Sequence, residues 1–168
     1  FCGLDPQQVV VGIDGCSAPT LAVPLLSSAA AFARLCAPDT PALEFPAKRV
    51  QACRAITHAM ISHPEMVGGP ASFDTHLLRV MSGRLVAKVG AEGFQGIGLM
   101  PGALYPGSPA LGITYKISDG DLKSHTRPVG DSHGQVRPAV AVEILRQLGA
   151  LQPADLAALK EYGPTFPV

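Results

Sequence analysis

No block of like charge interrupts this chain of 168 residues, and its formal net charge is +0 with a pI near 7.1. Without a surplus of lysine and arginine there is no electrostatic footprint for DNA or RNA, and nothing to hold the chain to an acidic membrane surface. No apolar run is long enough to cross a bilayer, since the longest, Leu21 to Leu35, is broken by Pro24, Ser27, Ser28 and Arg34,. The expectation is therefore no nucleic acid and no membrane as partner. Cysteine is sparse and unpaired in pattern. Cys2, Cys16, Cys36 and Cys53 show no Cys-x-x-Cys spacing, which excludes a zinc ribbon and a thioredoxin-like redox pair and fits a reduced, cytoplasmic protein,. No signal peptide or pro-region reads from the opening residues, where a strand follows Phe1 within a few positions,. The chain also lacks Ser-x-x-Lys, Gly-x-Ser-x-Gly, His-Glu-x-x-His and Walker patterns, one of which a self-contained hydrolase of a common kind would carry,. Gly96 and Gly98 are only a fragment of a glycine-rich pattern and fall inside a strand, so a dinucleotide site is not expected,.

What is present is enough apolar material, 47% of residues, for one globular domain over residues 1–168 with a core of its own,. Val9 to Ile13 is a short β-branched run and reads as a strand buried on both faces, ended by Asp14-Gly15,. The apolar stretch to about Leu35 reads as a buried helix, with Ser17 or Thr20 as its cap and Pro24 in its first turn or as a kink. After a proline-rich loop, Pro46 opens a second helix. Its apolar stripe is Val50, Cys53, Ile56 or Thr57, Met60 and Ile61, with Lys48, Arg49, Gln51 and Arg54 opposite and Pro64 as its stop,. Ser72 is placed to cap a short helix over Phe73 to Met81, closed by Gly83. Leu85 to Val89, Phe94 to Met100 and Ala110 to Ser118 follow as an antiparallel meander. Asp121 to Gly134 is polar and glycine-containing and reads as a solvated excursion. Pro138 opens a helix that Gly149 ends, and a last short helix runs from Ala154 to about Tyr162,. The fold class expected from these elements is α/β in the α+β sense, with an antiparallel meander packed against helices.

Lys88 is the residue that fits its strand least. An ammonium held among apolar neighbours loses solvation and becomes able to exchange protons near neutral pH. The plainer alternative is a surface lysine on an exposed strand face, with Gly90 and Gly93 shaping a tight hairpin beyond it. Asp14 and Glu92 have plain alternatives as well. Asp14 is able to bond amides of its own turn, and Glu92 to hold Lys88 or the hairpin.

Three stretches bring a family into view: Ile13-Asp14-Gly15-Cys16-Ser17-Ala18-Pro19-Thr20, then Ala87-Lys88-Val89-Gly90-Ala91-Glu92-Gly93, then Lys116-Ile117-Ser118-Asp119-Gly120. In that order and at these separations they resemble the L-asparaginase II family of the thermolabile rhizobial type. The resemblance extends from about Gly12 to Leu148 and corresponds to the C-terminal half of a family member. It implies a partial serine β-lactamase-like fold and hydrolysis of the L-asparagine side-chain amide to aspartate and ammonia. It also implies serine and lysine pairs beside a zinc site of two cysteines and a lysine. On that likeness Lys88 is the lysine of the second catalytic pair, Cys16 one zinc-binding cysteine, and Asp14 and Glu92 are candidates to touch substrate. The Ser-x-x-Lys nucleophile, the serine that partners Lys88 and the rest of the zinc site would belong to the N-terminal half. An isolated chain is then expected to be inactive, with zinc needing ligands from elsewhere. The apolar faces left by removing half a domain are expected to drive self-association, as in a homodimer. The alternative is a non-catalytic scaffold or interaction domain that keeps the fold. The Asp121 to Gly134 segment is longer than in the bacterial pattern.

Overall fold

The computed structural model describes residues 1–118 and 136–163. The anticipated excursion over Asp121 to Gly134, the strand end at Asp119-Gly120 and the final prolines Pro164 and Pro167 lie outside the described residues. The architecture is α+β: two small antiparallel sheets, one of two strands and one of three, packed with helices.

The first sheet is a hairpin of β1 (Val10–Ile13) and β2 (Pro19–Ala22), registered Val11 to Leu21 and Ile13 to Pro19. It corrects two expectations. Val10, Val11, Ile13 and Leu21 are between 61% and 74% exposed, so β1 is not buried on either face. Leu21 and Ala22, read from the sequence as part of the helix, belong to strand β2, and α1 (Leu25–Cys36) begins only after Pro24. The physical reason is local. A proline disfavours helical backbone in the residue before it, so no helix passes through Val23-Pro24. Neither Ser17 nor Thr20 caps α1, whose N-cap position is Pro24. The Asp14 amide bonds the Ala18 carbonyl at 2.9 Å. Alternation along the ladder then turns Ile13, Val11, Pro19 and Leu21 to the outer edges, and Pro19 has no N–H to offer there,.

The second sheet has the order β3 (Leu85–Val89), β4 (Phe94–Leu99), β5 (Leu111–Lys116), the meander expected. Its two faces are covered differently. Leu85, Ala87, Ile97 and Leu99 point into the main core. There they meet Phe73, Leu77, Leu78 and Met81 of α4 (Phe73–Met81) and Ala141, Val142 and Leu145 of α5 (Val136–Gln147). The opposite face carries Gly96, Gly98 and Gly112, of which Gly98 and Gly112 are register partners, and α1 lies on them. A Cβ on Gly98 would stand 2.5 Å from Cys36 Sγ and 3.0 Å from the Phe32 carbonyl oxygen, and one on Gly112 would strike the backbone of Ala29 and Ala33. The Thr114 hydroxyl donates to the Leu25 carbonyl at 2.7 Å, which pins the start of α1 to the end of β5.

The other helices follow their punctuation. α2 (Ala47–Ser62) has Pro46 at its N-cap and stops at His63, the residue before Pro64, which opens α3 (Pro64–Gly68),. Cys53 and Thr57 form its buried stripe, and Ile56 is exposed. Ser72 caps α4 by accepting from the Thr75 amide at 3.2 Å, and the helix ends on Ser82 and Gly83, both at positive φ. α5 starts at Val136, two residues before Pro138, because a proline in the first turn forfeits no helical hydrogen bond,. α6 (Pro153–Ala158) is tied to the sheet by Arg84, which donates to the Ala150 carbonyl at 2.8 Å and to the Asp155 carboxylate at 2.5 Å. Among the described residues no helix is long and apolar enough to cross a membrane.

Candidate functional site

Lys88 sits near the end of β3, opposite Gly96 and on the sheet face that α1 covers. α1 rests on β4 and β5, however, and β3 is the edge strand, so this side chain escapes the cover. Leu85, Val86 and Ala87 are fully buried and Lys88 is exposed. The expectation of an ammonium enclosed by apolar neighbours is thereby corrected to the plainer alternative. Its amine donates to the carbonyl of Val89 at 3.0 Å.

Beyond Lys88 the chain reverses through Ala91, Glu92 and Gly93, closed by the Gly90 amide on the Phe94 carbonyl at 3.0 Å. Glu92 and Gly93 take φ of 55° and 69°. Gly90 does not need positive φ. Its role is space, because a Cβ there would come within 2.8 Å of the Phe94 ring. Glu92 is exposed, and no ion pair joins it to Lys88 among the described residues. The Gly93 carbonyl accepts from the Ile117 amide at 3.1 Å, and Phe94 pairs with Lys116. The turn after Lys88 and the stretch Lys116 to Ser118 therefore meet at one end of the sheet. The same end receives the start of α1 at Thr114, so the β1–β2 hairpin leaves from there too.

Cys16 and Asp14 occupy the tip of that hairpin, and both are exposed. The Asp14 carboxylate accepts from the Gly15 amide at 2.7 Å and its carbonyl from the Ser17 amide at 2.8 Å, so it shapes its own turn. No hydrogen bond links Cys16 to Lys88 among the described residues. A zinc ion wants about three protein ligands even in an open site. Among the described residues no three His, Cys, Asp or Glu side chains gather to hold a metal, and the lone Cys16 thiol does not make such a site.

A buried polar group beneath this end of the sheet was not legible from spacing. Asp74, in the first turn of α4 and 1% exposed, accepts from the Val89 amide at 2.5 Å and from Gln95 Nε2 at 3.2 Å. Arg137 Nη1 lies 3.8 Å from Asp74 and donates to the Gln95 side-chain carbonyl, with its guanidinium over the Phe73 ring. The available signal was an acid beside Phe73 at the head of a helix whose cap, Ser72, was already supplied. The cleft of about 430 Å³ between Ile61, Pro64, Leu78 and Arg79 includes none of the candidate residues.

No curated protein matches the chain. The family model described as L-asparaginase II matches residues 1–165, nearly the whole length and all three motifs. The exposed lysine at the end of β3, the glycine turn tied to Ile117 and the Asp14-Cys16 hairpin are thus features of a chain that belongs to the L-asparaginase II family.

Proposed function

We propose that this chain supplies the lysine-bearing part of an amidohydrolase site for L-asparagine, and that the nucleophile comes from polypeptide outside these residues. The observation that carries the reading is the exposed Lys88, held at the end of the sheet where two family motifs are joined by the Gly93–Ile117 hydrogen bond. A serine hydroxyl is a weak nucleophile until a base takes its proton. In the completed site the serine oxygen attacks the side-chain amide carbon while the Lys88 amine accepts the hydroxyl proton. That proton returns to the departing nitrogen, which leaves as ammonia, and water hydrolyses the remaining ester to aspartate. A lysine base must be unprotonated to act, which calls for burial, and the burial of Lys88 has to come from the completing polypeptide. Asp14 and Glu92 are proposed to border the substrate. Zinc enters only as an ion shared with that polypeptide, Cys16 giving one thiolate.

The test is ammonia release from L-asparagine. The chain alone is expected to be inactive, and activity is expected when a family polypeptide carrying Ser-x-x-Lys is added, with its loss in Lys88→Met. Robust turnover by the chain alone, or turnover indifferent to Lys88→Met, would overturn the reading. A non-catalytic interaction domain is the second reading, favoured by the bare apolar hairpin, Val10, Val11, Ile13 and Leu21,. Self-association without turnover in any combination would support it, and sedimentation velocity would show the assembly, a homodimer being the simplest.

A further inference from the structure

We propose that Asp74 is a positioning residue for Lys88, fixing the outer edge of β3 so that the amine and the turn behind it keep one arrangement. The inference rests on the reading of Lys88 as the working amine of the site. Its starting point is the ladder. Met100 N bonds the Arg84 carbonyl and Gly90 N the Phe94 carbonyl, so even-numbered residues of β3 face β4. Val89 is out of phase with them, and both its N–H and its C=O point off the edge, where no strand pairs among the described residues,.

Side chains occupy both groups. The N–H donates to Asp74 Oδ2 at 2.5 Å, and the carbonyl accepts from the Lys88 amine at 3.0 Å. Val89 is thus the link between a buried carboxylate and an exposed amine. The carboxylate is itself braced: Gln95, which pairs with Val89 across the ladder, donates to Oδ1, and Arg137 of α5 holds Gln95 from the other side. Helix capping does not account for Asp74, because Ser72 already accepts the Thr75 amide. Burying a carboxylate is costly unless its hydrogen bonds are made, and here one of them is made to the strand that carries Lys88,.

The experiment uses the whole chain and needs no turnover. Lysines are acylated with an N-hydroxysuccinimide acetate, and the rate at Lys88 is read by peptide mass spectrometry against exposed Lys116. Asp74→Ala is expected to raise the Lys88 to Lys116 ratio by about threefold or more, the scale of one lost hydrogen bond. Asp74→Asn, which keeps an acceptor for the Val89 amide, is expected to restore most of the original ratio. A purely structural Asp74 would lower the unfolding midpoint and leave the ratio unchanged, and that result in a folded variant overturns the proposal. If Asp74→Ala does not fold, hydrogen exchange in the unmodified chain decides. A Val89 amide as protected as its ladder neighbours supports the contact, and one exchanging like an open edge amide refutes it. Failure of the asparaginase reading shows separately, as turnover indifferent to Lys88→Met, while the acylation ratio still responds to Asp74.

Discussion

Gly112→Ala puts the seating of α1 to the hardest test. A methyl at this position would meet Ala29 C at 2.6 Å and Ala33 N at 2.9 Å, with the Ala29 carbonyl oxygen nearer still. All three are helix backbone and have no rotamer to change. To bring Ala29 C out to the 3.4 Å of ordinary contact, α1 must retreat by about 0.8 Å, and further to clear the oxygen,. That retreat loosens Phe32 from Gly96 and Cys36 from Gly98, so overpacking and lost contact add,. The cost is about 3 kcal/mol, less about 0.5 kcal/mol returned because alanine restricts the unfolded chain more than glycine. Two neighbours calibrate it. Gly96→Ala meets the edge of the Phe32 ring, a side chain that can turn, and is expected to cost about 1 kcal/mol,. Gly15→Ala meets nothing within 4 Å and should lie within about 0.5 kcal/mol of the parent,. Urea unfolding followed by circular dichroism ranks the three. A Gly112→Ala midpoint equal to that of Gly15→Ala would mean that α1 does not rest on β5.

Arg84→Ala removes the donors to the Ala150 carbonyl and the Asp155 carboxylate and is expected to cost about 3 kcal/mol by urea titration, Arg84→Lys recovering only part of it,. Burial pushes the Cys36 thiol up to about 12 from 9.0. The folded chain keeps that proton while the unfolded chain gives it up, so stability is expected to fall between about pH 9 and 12, by up to about 1.4 kcal/mol per pH unit, and Cys36→Ala should flatten that slope,. At neutral pH a thiol reagent is expected to label exposed Cys16 first and buried Cys36 and Cys53 only on unfolding, as peptide mapping would show,. Ser72→Ala should cost about 1 kcal/mol through the lost cap of α4, measured by thermal melting,.

Much of the fold was legible where a local cause decides it. Ser72, Gly83 and the prolines around α2 act within a turn, and the meander strands carry their own punctuation. The β1–β2 hairpin was misread because Val9 to Ile13 records a taste for apolar surroundings, and only the tertiary structure tells whether any are supplied. Lys88 was found by motif, yet its exposure depends on how far α1 reaches across the sheet, which no spacing in β3 encodes. Asp74 was missed for the same kind of reason, since its meaning comes from Val89, fifteen residues away in the chain. Gly96 and Gly98 were noticed and set aside, although two glycines on one face of a strand were already the mark of a helix about to come close,.

Pro19 gives the exposed hairpin a direction. A fibre grows when every unit has two edges that can be extended, and one of the two outward positions of β2 has no proton to donate,. The β2 edge keeps the Leu21 amide and its carbonyls but is the poorer template, while the β1 edge offers both the Val11 and Ile13 amides,. The imino acid thus biases any added strand toward one side of the hairpin.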